Sequence, residues 1–520
     1  MSHPATVLIV GAGPTGLSMA LNLKRYQIPF RIIDAQMKPV PTSNALAVQS
    51  RTLEVWDDMG LIQEALRRGV KINELKMYDH DKNIVSIDLN TLDSAYPFVL
   101  GLAQHETEKM FLDALSQENI TVEMPVELID FSEQQENIRV QLRHADGREE
   151  TIYVDWLIAA DSGHSFVRKK LNLAFKGREL PQHFVLADFI LEKNIAAHKA
   201  MLFLSQSLLA LFHYAENEVR LIADVSMDPE LKSAKTLTDE QIFRLIKERC
   251  PFPLTIQKIL WTSGFWIHER LISQYAHNRI FFAGDAAHLH SPVGGLGMNT
   301  GIQDAYNLAW KLALVIRGRA KKSLLSTYNS ERHTVGKKLL RGTGILTTIM
   351  TLHNVFWRRL RNFLYSWIFK YKNNQKRMAM TISQLTITYE KSLLTHNGGM
   401  RMPYVGVLHQ QLFEQVRGTQ FCLLLFSGKN NSLTEIQKLK NQIEQKYVDV
   451  IKCVLITTKN TLIENWKGRS VYDNNGRIHQ YYRMHKSGFC LLRPDKYIGF
   501  IGKLSEADAL LDYLNEFLKD

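Results

Sequence analysis

Two glycine-rich stretches, far apart in the chain, hold the residue types best suited to chemistry. The first is Gly11, Gly13, Pro14, Thr15 and Gly16; the second is Gly284-Asp285 followed by Pro292, Gly295, Leu296, Gly297, Met298 and Asn299. Glycines let bare backbone approach a pyrophosphate or a flat ring, and a carboxylate at a strand end can accept from ribose or ribityl hydroxyls. Asp34 stands 23 residues after Gly11, close to the spacing of a ribose-binding acid. One such motif is weak. Two in one chain point to FAD and redox chemistry.

The elements that must position these groups are legible around them. Thr6–Val10 is a short apolar run that reads as a buried parallel strand, and a helix over about Pro14–Tyr26 would aim its N-terminal N–H groups at phosphates. Phe30–Ile33 reads as the next strand, ending in Asp34. Arg279–Ala283 is another strand, delivering Gly284-Asp285, and a helix begins near Asn299. A third apolar strand, Trp156–Ala160, leads into Asp161, Ser165 and Arg168.

The run GDAAHLHSPVGGLGMNTGIQDAYNLAWKLA, followed by YNSERHTV, resembles the single-component FAD-dependent aromatic hydroxylases of the para-hydroxybenzoate and phenol hydroxylase type. That resemblance implies an α/β fold: a Rossmann-like FAD-binding domain, an inserted β-sheet substrate domain and a C-terminal thioredoxin-like domain. It implies that Asp285 holds the ribityl chain, that Pro292 lies where oxygen reacts, and that Gly295, Gly297, Met298 and Asn299 face the flavin ring. Asp161, Ser165 and Arg168 fit a family motif linked to FAD and NAD(P)H use, with Ser162 where Gly is usual; a negative φ would make that tolerable. Asn44 replaces an arginine expected near the FAD phosphates, Arg51 opens the following Arg-Thr-x-Glu helix, and Gln104 matches a glutamine near the flavin chain. The activity implied is NAD(P)H-dependent hydroxylation of a phenolic or polyketide-like aromatic by O₂, through a flavin C4a-hydroperoxide.

The boundaries expected are residues 1–180 for the first part of the FAD domain, with 81–97 assignable to either unit, then 181–277 for the substrate sheet and 278–340 for the second FAD segment. A basic helical connector follows over 341–394 and a thioredoxin-like domain without C-x-x-C over 395–520. In the last, Ser432 and Glu435 suggest a capping box, and the missing C-x-x-C excludes dithiol exchange in favour of a packing or dimer role. The substrate's proton needs a partner, for which His213, Arg220, Tyr214 and His268 are candidates, with Phe203, Phe212 and Trp266 as aromatic walls.

Composition narrows the classes. The chain has 520 residues, 45% of them apolar, and a net charge of +12. Four scattered cysteines give no metal-ligand spacing, and with no signal peptide they read as reduced thiols of a cytoplasmic enzyme. Nucleic-acid binding has only the charge excess in its favour. Between Glu331 and Glu390 there are eleven Lys or Arg and no acid. Within that span Phe356, Leu360, Phe363, Leu364, Trp367 and Tyr371 recur at helical spacing. The first reading of this helix is burial of its apolar stripe on the flavin domain; the second is contact with anionic lipid. Its uncharged run is shorter than the roughly 18 residues that span a bilayer. A homodimer, a drug-inactivating monooxygenase of the same fold and a non-catalytic flavin-binding structural protein stay open as alternatives.

Overall fold

The computed structural model describes residues 6–37, 45–193, 197–428, 433–460 and 466–519. Asn44 and the Ser432 cap fall outside them. Strand Val7–Val10 sits at the heart of a five-stranded sheet, in the order Ala276–His277, Ile280–Phe282, Trp156–Ala159, Val7–Val10, Phe30–Ile33. Apart from the first, antiparallel strand, its pairs are parallel. All four residues of Val7–Val10 are buried, as an apolar run covered on both faces must be. The two motif helices, Pro14–Arg25 and Gly297–Ile316, pack side by side, so the glycine stretches converge although they are remote in sequence.

A second sheet of eight strands forms the substrate unit. Its frame is a pair of 17-residue strands, Phe175–Leu191 and Ile256–Ile272, that reach from the flavin unit into the insert. The sheet also takes in Glu74–Asp79 and Lys82–Asp88, earlier than the 81–97 segment read from sequence; Glu74–Asp79 pairs in parallel with Lys199–Phe203. Alternating apolar residues of this sheet face the chamber described below.

The C-terminal unit is a five-stranded mixed sheet. Phe421–Phe426, Ile451–Thr457 and Arg469–Tyr472 are parallel, Gly488–Leu492 and Ile498–Lys503 complete it antiparallel, and helices Leu433–Lys446 and Ala507–Phe517 pack on it. This is the thioredoxin-like order, and Cys422, Cys453 and Cys490 are merely buried within it, free like Cys250.

Three helices link the flavin and C-terminal units: Thr334–Met350, Val355–Ile368 and Lys372–Ile382. The middle one corrects the first reading of the basic segment. It does not bury its aromatic stripe: Phe356, Trp357, Phe363 and Trp367 are exposed, and the residues it buries are Arg361 and Asn362. Among the described residues no helix is long and apolar enough to cross a membrane.

Candidate active site

The glycine stretches open onto one cavity of about 400 Å³. From the first, Gly13, Pro14 and Thr15 line it, with Gln104 and Ser162 close by. From the second come Asp285, Pro292 and the run Gly295, Leu296, Gly297 and Met298. Helix Pro14–Arg25 begins at Gly13 with no side chain capping it, which leaves its first N–H groups for a ligand. A Cβ on Gly13 would meet only open space. Asp285 is open to the cavity yet surrounded by protein, and this desolvation pushes its carboxyl above the usual range while nearby His288 opposes the rise. Such a carboxylate calls for hydroxyl donors from a ligand.

Other sequence candidates shape the slot without lining it. Gly16 packs so tightly that a Cβ would collide with the Gly11 carbonyl oxygen, which fixes helix against strand. Gly284 adopts φ +61°, with Thr15 against its α-carbon. Asp34 Oδ2 accepts the Ala12 N–H at 2.7 Å and so holds the turn. Asp161 accepts the Val167 N–H at 3.2 Å.

Three candidates are corrected outright. Arg51 does not reach the slot: it is buried, donating to Glu54 at 3.0 Å and to the Asp495 carbonyl at 2.9 Å, because its helix abuts the C-terminal unit. Arg168 donates to the Ala286 and Gly163 carbonyls and lies over the Phe175 ring, so it clamps the Gly284-Asp285 turn from behind. The Asn299 amide is consumed by the protein: Oδ1 accepts the Gln49 N–H at 2.8 Å and Nδ2 donates to Ala47 and Gly295 carbonyls, both at 2.7 Å. Ser162 departs from the sequence expectation as well, with φ +67° rather than a negative value.

Sequence reasoning missed the brace beneath the second motif. Asp304 Oδ2 accepts from the Gly284 N–H at 3.1 Å and lies 2.8 Å from His288 Nε2; its Oδ1 accepts from Arg332 Nε at 2.6 Å. All three side chains are fully buried. Gln49 was missed too; it lines the cavity and donates from Nε2 to the Gly294 carbonyl at 3.0 Å. Asp304 and Arg332 stood inside the quoted family strings, but no spacing rule says which members touch a ligand.

Beyond the slot the cavity widens into an apolar chamber. Leu75, Met77, Leu202 and Ile222 form its sheet wall, while Leu346, Met350, Met378 and Ala379 close it from the connector helices. Phe212 lines it, whereas Phe203 is buried in a separate core and Trp266 faces outward beside His183. Of the proton-handling candidates Arg220 alone lines the chamber. It faces Asp188 across the strand pair, with Nε and Nη2 each 2.6 Å from a carboxylate oxygen. His213 is corrected: its ring lies between the His198 N–H and the Glu216 carbonyl, away from the cavity. His268 is corrected too, because its strand turns the ring toward Glu179 near the surface. His290, not singled out from sequence, does line the cavity. Burial, then the neighbouring His288, lowers its pKa to about 4, so its ring is neutral near pH 7. In the tautomer with Nδ1–H donating to the Ser291 carbonyl at 2.9 Å, Nε2 is an acceptor with no partner.

An uncapped helix end, glycine-lined backbone, a carboxylate facing the cavity and an adjoining apolar chamber fit a flavin dinucleotide and an aromatic acceptor. Known proteins agree. Residues 4–343 match the FAD binding domain family model. The chain is 30% identical to 6-methylpretetramide 4-monooxygenase of Streptomyces rimosus, over 97% of this chain and 92% of that protein. It is 28% identical to pentachlorophenol 4-monooxygenase of Sphingobium chlorophenolicum, over 99% and 97%. Among solved structures, the flavin-dependent monooxygenase PieE, in complex with FAD and substrate, superposes with a TM-score of 0.79 at 20% identity, covering 99% of each chain. OxyS anhydrotetracycline hydroxylase from Streptomyces rimosus gives 0.76 at 24% identity, covering 98% of each; these two likenesses show the fold. The chain belongs to the FAD-dependent aromatic monooxygenases.

Proposed function

We propose that the protein uses NAD(P)H and O₂ to hydroxylate a neutral, apolar aromatic of several rings, such as a polyketide-like phenol. The observation that carries this reading is the chamber: it is walled by aliphatic and methionine side chains, and Arg220, the one cation among the described lining residues, is paired with Asp188 through Nε and Nη2. Relatives named for 6-methylpretetramide and anhydrotetracycline support the polyketide side, and one named for pentachlorophenol the phenolic side.

FAD would lie along Gly13, Pro14 and Thr15, with Asp285 accepting from its ribityl hydroxyls and Gly295–Met298 against its ring. When bound, it supplies the two-electron redox chemistry and the activation of oxygen. The chain's own residues do the rest. Apolar walls exclude water and hold the acceptor's ring in place. His290, neutral near pH 7, offers Nε2 as a hydrogen-bond acceptor for the hydroxyl of the aromatic and does not take its proton, because its pKa of about 4 is too low for a base. Four free, buried thiols support a cytoplasmic setting.

The test is a screen of phenols and polycyclic aromatics for stimulated NAD(P)H oxidation by the yellow holoenzyme, with product mass measured. Products heavier by one oxygen are expected. Stimulation by no aromatic, single- or multi-ring, sinks the reading.

A further inference from the structure

Helix Val355–Ile368 turns most of its large apolar residues outward, unlike a helix packed wholly on a protein. Its inner face holds Tyr365, packed against the sheet core, and two buried polar residues, Arg361 and Asn362: Arg361 donates from Nη1 to the Ile349 and Met350 carbonyls at 3.0 and 3.1 Å, and from Nη2 to the Leu204 carbonyl at 2.7 Å. Its outer face carries Phe356, Trp357, Phe363 and Trp367, which are 55–67% exposed, and Tyr371 extends the patch just beyond the helix. At 3.6 residues per turn Phe356, Phe363 and Trp367 form one stripe with Arg359 beside it, and Lys370 follows just past the helix end. Arg359, Lys370, Lys372 and Arg377 have no acidic partner among the described residues, whereas Lys376 reaches Asp93 at 2.8 Å. A contiguous apolar patch of this kind on a protein surface marks an interaction site.

We propose that this helix docks the protein on an anionic lipid surface, lying in the headgroup plane with its aromatic stripe in the acyl boundary. Charge complementarity selects this occupant. From residue 332 to 389 the chain has no acid, so the helix and its flanks carry only basic charges around the aromatics; of the acids on neighbouring elements, Asp93 pairs with Lys376 and leaves Arg359, Lys370, Lys372 and Arg377 unpaired among the described residues. A second copy of the chain, related by a twofold axis, would set this basic patch against itself, a like-charge contact. Anionic headgroups neutralise the same cations, and Trp and Tyr favour the membrane–water boundary.

The helix is tied to the active site. Arg361 holds the Met350 carbonyl, and Met350 lines the chamber, as do Leu346 on the preceding helix and Met378 on the following one. Docking therefore sets the roof of an apolar chamber beside lipid, an arrangement suited to an acceptor that partitions into the bilayer. The docking itself does not depend on which aromatic is hydroxylated.

The test sediments holoenzyme with vesicles of phosphatidylcholine, alone or with about 30% phosphatidylglycerol. At least about tenfold more protein should pellet with the anionic vesicles, and about 0.5 M salt should release most of it. The double variant Phe363→Ser/Trp367→Ser should stay in the supernatant while keeping its flavin absorbance. Arg359→Glu/Lys370→Glu, which spares the stripe, should lose the preference for anionic vesicles. Equal recovery in the supernatant with both vesicle types overturns the proposal. So does light scattering that shows a wild-type dimer made monomeric by the stripe variant, since a second copy would then own the surface.

Discussion

Arg493 and Glu331 grip each other across the joint between the C-terminal and flavin units, Nη1 to Oε1 at 2.6 Å and Nη2 to Oε2 at 2.9 Å, with both side chains fully buried. Lys311 donates to the same carboxylate at 2.7 Å, and Asp495 accepts from Arg493 at 2.6 Å. Two cations and two acids thus neutralise one another out of water. Beside them Trp310 of the flavin unit meets Phe421 edge to face, ring centres 5.4 Å apart. A joint of this kind fixes how the C-terminal unit sits. It also explains Arg51, which is spent on Glu54 and the Asp495 carbonyl rather than on the cofactor.

Breaking that joint should destabilise the whole chain. Glu331→Gln leaves Arg493 and Lys311 buried with one countercharge fewer, a change that costs about 3–5 kcal/mol. Burial alone would raise the Glu331 carboxyl; Arg493 and then Lys311 overcome it and hold it well below its ordinary 4.5. A depressed acid stabilises fully above its unfolded pKa and loses that contribution as pH falls. Wild-type melting temperature should therefore drop more steeply than that of Glu331→Gln below about pH 4.5. Parallel curves would show that the pair contributes nothing.

The brace and the ligand-facing acid of the second motif should separate in their effects. Asp285→Ala removes a carboxylate that makes no hydrogen bond or ion pair among the described residues, so flavin retention should vanish while the apoprotein melts as before. Asp304→Asn weakens the Arg332 ion pair and the hold on the Gly284 N–H, so it should lower both flavin affinity, about tenfold, and melting temperature. Flavin absorbance per protein and apoprotein melting measure the two. An Asp285→Ala protein fully loaded with flavin would refute the role given to that residue.

Ser162 offers a test of backbone strain. A non-glycine residue in the left-handed region costs about 1–2 kcal/mol. At φ +67° Ser162→Gly should raise stability by about 1 kcal/mol without loss of flavin. A fall in melting temperature would mean that the serine hydroxyl makes a contribution the backbone argument omits.

Local pattern made the flavin unit legible. Val7–Val10, Phe30–Ile33 and Trp156–Ala159 are uninterrupted apolar runs, and the glycines punctuate them where chain direction must change. What pattern could not give is which way a polar side chain turns. Arg51 meets a carbonyl 444 residues away, and Asn299 spends its amide on Ala47 and Gln49, contacts that exist only after folding. The Val355–Ile368 helix misled for a related reason. Its period was plain, but a period fixes which residues share a face and not which face turns inward, and Arg361 found carbonyls to satisfy it there. His213 looked suitable by type and sits on a chamber strand, yet its ring turns off the cavity.

The strongest consequence for specificity concerns charge. A carboxylated aromatic entering the chamber would give up its hydration for aliphatic walls and, among the described lining residues, meet one cation, Arg220, whose charge is balanced by Asp188 through Nε and Nη2 and which keeps only Nη1 without a partner. Burying an anion beside a cation whose charge is already balanced is expensive, so a neutral phenol should outperform its carboxylated analogue of equal ring count by about a hundredfold in kcat/KM. Asp188→Asn converts the acceptor pair into a neutral amide and leaves the guanidinium short of a countercharge. The variant should then gain about tenfold on the carboxylated acceptor and lose on the neutral one, with the split appearing in KM. A wild-type enzyme that prefers the carboxylate, or a variant that fails to shift the ratio although it folds and holds flavin, would remove Arg220 and Asp188 from the account of specificity.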